Sequence, residues 1–314
     1  MDTIEEPIVR IASLLSSATE MLYGLGLGEQ VVAVSHECDY PPECAAKPRA
    51  TRSHIDSNAA SAAIDEQVKS RLAAGLPLYE IDGELLCRLQ PEVIVTQAQC
   101  DVCAIRYADV VDLVAQQPAL KTTSIVSLNP GTLGEVLADI ERVAAAVGHA
   151  SAGRRWVAEL TARVEAVRAT TAGLAPHERL RVACIEWIEP VMCAGNWMPE
   201  LIEIAGGTQP FARAGEHSGY TAWADVVAFD PQAIVVMPCG FDLPRTVLEA
   251  QRLTAFPGWH ELRAVRDDRV YAVDGNAYFN RSGPRMVESL ELLAHLLHPQ
   301  RFASHPVGLT KLNA

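Results

Sequence analysis

Cys100 and Cys103 form a Cys-x-x-Cys pair, a spacing that zinc and redox sites use, and His36 is the candidate further ligand. Cys38, Cys193 and Cys239 also follow predicted strands, so five of the eight cysteines fall where ligand sites of parallel α/β sheets lie, beyond the carboxyl ends of strands. Two readings stay open: small buried or site-lining groups, or metal and thiol chemistry by Cys100, Cys103 and His36, with Cys38 or Cys239 as an addition. A complete zinc site would normally show a second close pair, and the sequence has none. Cys44, Cys87 and Cys184 read as core or helix-face residues.

Aromatic residues gather in the same loops. Tyr40, Trp187, Trp197, Trp223, Tyr278 and Phe279 all stand at or near predicted strand ends, in a chain that is only 6% aromatic. Rigid rings beside a few polar groups suit a flat, partly apolar ligand, and ordinary packing is the competing explanation for any single ring. Acid–base chemistry has little support. Glu186 and Glu189 flank Trp187, but no carboxylate pair with a catalytic spacing is evident, and His36, His54 and His217 read as polar loop residues.

The elements that must position these residues are announced by a phrase written twice, 140 positions apart: Leu85 to Gln97 and Val226 to Pro238. Each copy reads as a short helix, a proline that ends it, and an apolar strand without polar alternation, the pattern of a parallel strand buried on both faces. Two such copies imply two similar α/β lobes and a cleft. Before the first copy, Ile8 to Leu14 reads as a strand, Ser16 to Glu20 as a helix start capped by a small hydroxyl residue, and Val31 to Val34 as the next strand. Residues 43–79 read as a long surface excursion with a helix near Ala62 to Leu72. A helix near Tyr107 to Gln116 and a strand at Ser124 to Leu128 finish the first lobe. Two helices fill Thr132 to Thr171, the second placing Trp156, Leu160, Val164 and Val167 on one stripe. The second lobe repeats the scheme: strand Val182 to Trp187, helix Pro199 to Ala205, the copied strand, strand Val270 to Val273, and an amphipathic helix ending at Leu297. The expected domains are residues 1–130, a helical segment 131–175, and residues 176–314.

Several classes of function are set aside. Gly24-Leu25-Gly26-Leu27-Gly28 closes a helix and precedes a strand, the reverse of a dinucleotide loop, so it reads as a helix stop and turn. A net charge of −13, from 39 acidic and 26 basic residues, disfavours a nucleic-acid partner. No apolar run approaches a membrane span, so the chain is not expected to be membrane-embedded. The acidic start and the unpaired cysteines suggest a cytoplasmic protein, with a periplasmic or cell-surface location as the alternative if a leader precedes it.

With these motifs placed, the chain resembles the cobalamin and ferric-siderophore (class III) ABC-importer substrate-binding proteins, and within them the cobalamin-binding branch. The carriers are Ile11 to Glu20, Val34-Ser35-His36-Glu37-Cys38-Asp39-Tyr40-Pro41-Pro42, the Leu89-to-Val95 phrase, Ala194 to Gly207, and Tyr278-Phe279-Asn280-Arg281-Ser282-Gly283-Pro284-Arg285. The resemblance runs nearly end to end. It implies two Rossmann-like α/β lobes joined by one long α-helix, for which Ser151 to Thr171 fits, and a non-enzymatic monomer that needs no cofactor and captures a corrinoid in a cleft. By position it points to Glu37, Gln97, Trp223, Tyr278, Phe279 and Arg281 as ligand contacts, to which the aromatic pattern adds Trp197. Glu37 and Gln97 are polar where relatives carry aromatic residues. It also implies an ABC permease and ATPase as partners, docked through one carboxylate per lobe, with Glu84 and Glu203 at the matching positions. A metal- or thiol-dependent protein on the same scaffold, and a ferric-siderophore or heme binder in which Arg281 and Arg285 meet an anionic ligand, are the alternatives.

Overall fold

An apolar run without polar alternation has to bury both of its faces, and Val93–Gln97 does so at every position, as does Ala233–Val236. Each run is a central strand of its own sheet in the computed structural model, which describes residues 9–98, 104–302 and 308–312. The chain divides into two units, residues 1–56, 66–130 and 135–159 on one side and 57–65, 131–134 and 160–314 on the other.

The first unit carries β1 (Ile11–Ser13), β2 (Val31–Val34), β3 (Thr51–Ser53), β4 (Tyr79–Ile81), β5 (Val93–Gln97) and β6 (Ser124–Leu128). Its helices are α1 (Ser16–Gly24), α3 (Gly83–Leu89) and α4 (Tyr107–Gln116), with all of α5 (Leu133–Ala146) but its first two residues, while α2 (Ser61–Ala73) and α6 (Ala150–Thr171) are each divided between the units. The sheet order is β2-β1-β5-β6, all parallel, and β3 and β4 form a separate antiparallel pair. Ala12, Leu14, Leu86 and Ile94 build its core.

In the second unit, β7 (Leu180–Trp187), β8 (Met192–Cys193), β9 (Gly207–Thr208), β10 (Gly219–Tyr220), β11 (Ala233–Val236), β12 (Val270–Val273) and β13 (Leu309–Lys311) form one sheet. The order is β10-β8-β7-β11-β12-β13, with β9 on β7; β7, β11 and β12 run parallel and β8, β10 and β13 are antiparallel additions. Helices α7 (Met198–Ile204), α8 (Trp223–Phe229), α9 (Leu243–Ala250), α10 (Arg263–Arg266) and α11 (Met286–Leu297) complete it.

The duplicated phrase folds the same way twice, but the proline is not what ends its helix. Gln90 after α3 and Asp230 after α8 both take left-handed backbone, φ 45° and 47°, and their N–H groups cap the last helical carbonyls before Pro91 and Pro231 begin the strand approach. The proline bars its predecessor from helical backbone, and the left-handed residue makes the turn. Two other expectations change. No hydroxyl side chain caps α1; Leu15 is its N-cap residue and makes no side-chain cap bond. The stretch 43–79 holds the expected helix, as α2, and in addition the short strands β3 and β4, which no pattern announced. Gly24 is needed for packing as well, because a side chain there would meet the Trp156 ring of α6 at 2.2 Å.

Asp139 on α5 is an anomaly in this core. It is 2% exposed, Arg142 donates to its Oδ1 at 2.6 Å, and its Oδ2 has no partner. Burial raises its pKa to about 6, against the opposing pull of Arg142 and with some help from Glu135. A carboxyl with a raised folded-state pKa stabilises below its unfolded value near 3.8, and the contribution is lost as pH rises through about 6. Asp139→Asn is therefore expected to raise stability at pH 8 by on the order of 1 to 3 kcal/mol, and to flatten the fall between pH 4 and 6. Urea unfolding at pH 5 and pH 8 measures this, and a variant less stable than the parent at pH 8 would contradict it.

Candidate functional site

Parallel pairing sends every strand-to-helix loop out at the carboxyl edge of its sheet, and each unit builds a different surface there. In the first unit the edge is a network of small hydroxyls. Thr19 of α1 donates to Ser13 at 2.8 Å and touches the Cys38 sulfur at 3.0 Å; Thr51 of β3 donates to Ser35 at 3.1 Å and meets His36 Nδ1 at 2.7 Å. Arg49 donates to the carbonyls of Ser35 and Cys38, which ties the loop after β2 in place. Burial, and then Arg49, lower the His36 pKa, so the ring is neutral at physiological pH. Glu37 stands half-exposed beside it, with Oε1 3.8 Å from His36 Nε2, and Tyr40 is 44% exposed two residues beyond Cys38.

The second unit's edge is aromatic and cationic. Trp187 ends β7 and meets Phe241 edge-on at 5.5 Å; the guanidinium of Arg245 lies 3.5 Å from the centre of the Phe241 ring. Half-buried Trp223 starts α8, packs over Trp259 and donates to the Pro257 carbonyl. After β12, Arg285 lies over the Tyr278 ring at 5.5 Å and Arg281 donates to Asn276 at 2.8 Å. This last loop is fixed by its backbone. Asn280 donates to the carbonyls of Met237 and Gly275, and a side chain at Gly275 would approach the Pro238 carbonyl oxygen to 2.2 Å.

Several predicted site residues occupy other roles. Phe279 is 1% exposed with φ 67°, held by its N–H to Ser289 and by the Trp197 indole on its carbonyl, so its ring belongs to the core. Trp197, 5% exposed and spending its N–H on that bond, is likewise a core ring rather than a ligand contact. Gln97 is 4% exposed and its amide turns inward to the Ile105 carbonyl. Trp223, Tyr278, Arg281 and Glu37 remain at their carboxyl edges and partly accessible. Glu84 is exposed in the first turn of α3, at the carboxyl edge. Glu203 is exposed at the far end of α7, where Arg179 donates to its carbonyl beside the start of β7, so it lies at the amino edge. Glu186 and Glu189 are also spoken for: Ser218 donates to Glu186 at 2.6 Å and Arg252 to Glu189 at 2.7 Å.

Cys100 and Cys103 lie outside the described residues. Among the described residues no group of three or more His, Cys, Asp or Glu side chains could hold a metal ion. Burial pushes the thiols of Cys38 and Cys193 up to about 11, and that of Cys184 further still, so all three stay protonated and unreactive. Cys239, by contrast, is exposed. In the folded protein a maleimide should therefore label Cys239 at least about tenfold faster than Cys38, Cys184 or Cys193 by peptide mass mapping. Equal labelling of Cys38 and Cys239 would contradict the burial described.

The similarities to known proteins agree with this architecture. An ABC transporter substrate-binding lipoprotein of Bacillus subtilis (strain 168), YvrC, is 23% identical over 96% of this chain and 83% of its own length. A vitamin B12-binding protein of Vibrio cholerae (strain O395) is 24% identical over 91% of this chain and 87% of its own. Among solved structures, the periplasmic heme-binding protein RhuT from Roseiflexus sp. RS-1 superposes with a TM-score of 0.69 at 22% identity, over 93% of this chain and 98% of the other. The pattern of the periplasmic binding protein family matches residues 11–277. The chain belongs to the periplasmic binding protein family, whose members bind a substrate rather than transform it.

Proposed function

We propose that this protein captures a corrinoid, cobalamin or a precursor of it, for ABC-type import, with an ABC permease and ATPase as partners. The observation that carries the reading is the second unit's carboxyl edge, which presents the partly accessible rings of Trp187, Trp223 and Tyr278 and also carries Arg245, Arg281 and Arg285. Flat rings bury the face of a macrocycle, and guanidinium groups donate to the carbonyls on its rim. Near full-length similarity to a protein named for vitamin B12 binding supports the same ligand class.

Import places the protein's work outside the cytoplasmic membrane, unlike the compartment suggested by the cysteine count. Buried thiols are inert to the redox state around them, so Cys38, Cys44, Cys184 and Cys193 carry little information about compartment. For permease docking, Glu84 keeps its role. The duplicated phrase aligns Glu84 with Ala224, which makes the neighbouring Asp225, exposed in the first turn of α8, the matching carboxylate in place of Glu203.

A heme is the second reading, favoured by the arginine pair at Tyr278, which suits the two carboxylates of that macrocycle, and by the likeness in fold to a heme-binding protein. Visible-absorption titrations with cyanocobalamin, cobinamide and hemin separate the two. The proposal expects saturable one-to-one binding of a corrinoid, with Trp223→Ala or Tyr278→Ala raising Kd by about ten- to a hundredfold, as loss of a buried aromatic contact should. Binding of hemin alone would replace it with the second reading. Absence of binding by all three, or variants that bind like the parent, would refute both.

A further inference from the structure

Residues 57–65 are counted with the second unit although the chain on either side of them belongs to the first. What holds them is one face of α9. Arg245 and Glu249 stand there at helical spacing, Arg252 follows in the 3-10 turn 251–255 directly after α9, and each takes part. Arg245 donates through Nη2 to the Ala59 carbonyl at 2.6 Å and through Nη1 to the Ser57 carbonyl. Glu249, 8% exposed, accepts the Ser61 N–H at 3.0 Å and the Ser61 hydroxyl at 2.6 Å on one oxygen, and Arg252 braces that oxygen at 3.2 Å. At the far end the Tyr220 hydroxyl donates to Asp65 at 3.3 Å.

The attachment is polar and rests on one buried point. Ser61 is fully buried, while every other residue from 57 to 65 is half-buried or exposed, and most are small: Ser57, Asn58, Ala59, Ala60, Ala62 and Ala63. Ser61 is also the first residue of α2, so the Glu249 carboxylate sits at that helix's amino terminus, where a negative charge is stabilised by the unpaired N–H groups and the helix dipole. Little apolar surface keeps the segment down. A few charge-assisted bonds do, and such bonds open locally at far less cost than a sheet does.

We propose that Ser57–Asp65 is a strap that latches onto α9 and releases from it as a unit, with Ser61–Glu249 as the latch. Release would also withdraw two carbonyl partners from Arg245, the residue stacked on Phe241 in the aromatic wall, so strap and wall are linked through one side chain. The latch lies on the strap and α9 whichever ligand the protein binds.

Native-state amide exchange on the full chain tests it. In the parent, the Ser61 amide is expected to exchange at least about a hundredfold faster than the amides of β7 and β11, through an opening that leaves the sheet intact. Glu249→Gln is expected to speed exchange across 57–65 by about ten- to a hundredfold, leaving β7, β11 and β12 unchanged. Should that variant not fold, Ser61→Ala, which deletes only the hydroxyl bond, is expected to speed it by about fivefold or more. Exchange of Ser61 at the sheet's own rate in the parent, or a Glu249→Gln or Ser61→Ala variant that leaves the strap's rate unaltered, would overturn the proposal.

Discussion

Parallel pairing of strands that are buried on both faces is the constraint from which the rest of the structure follows. In the first unit β5 is buried this way between β1 and the edge strand β6, and in the second β11 between β7 and β12, so a helix must carry the chain back to each parallel strand and the outgoing loops emerge at the same edge. The buried Val, Ile and Ala side chains fix that geometry, each large one contributing about 1.5 to 3 kcal/mol on burial. Exposed ion pairs such as Arg263–Asp267 are worth at most about 1 kcal/mol and decide little. Chemistry-bearing residues are thus free to differ between the two units while their position is prescribed.

The two edges use this freedom differently. Around Ser13, Ser35, Thr19 and Thr51 the first unit satisfies buried polar groups with short hydroxyl chains, while burial itself keeps His36 neutral and Cys38 protonated. The second unit anchors its last loop by the Asn280 side-chain amide on two backbone carbonyls and by Ser289 and Trp197 on the Phe279 backbone, which leaves Tyr278 and Arg281 on a rigid base. A wall built this way would lose little entropy on binding a rigid ligand. The strap at 57–65 is the contrast, polar and anchored at one buried residue.

Elements with a strong period or a long apolar run were legible in the sequence. The helix at 107–116, the strands at 124–128 and 270–273 and the stripe of Leu160, Val164 and Val167 all stand where their apolar spacing puts them. The two-residue strands β8, β9 and β10 were not, since so short a segment has no period and exists through its neighbour's free edge. The site was legible to the level of the loop and no further. Phe279 and Trp197 look like ligand rings by position, yet a left-handed φ at Phe279 and one indole hydrogen bond turn both into the core. Arg245 went unnoticed because its partners, Ser57 and Ala59, are far away in the sequence and offer only carbonyls. The signal within reach was Asp242-Leu243-Pro244-Arg245, a helix start directly after the second copied strand.

Capture of a macrocyclic ligand by these strand-end loops, as proposed, can be tested by locating the ligand directly. Cobalt scatters anomalously, so crystals grown with cyanocobalamin locate the ligand without reference to any side chain. An anomalous peak is expected at the carboxyl edge of the second unit's sheet, with the corrin ring against Trp223 or Tyr278 and its rim within hydrogen-bonding reach of Arg281. A peak at the amino edge of that sheet, beside Glu203 and the start of β7, would contradict it.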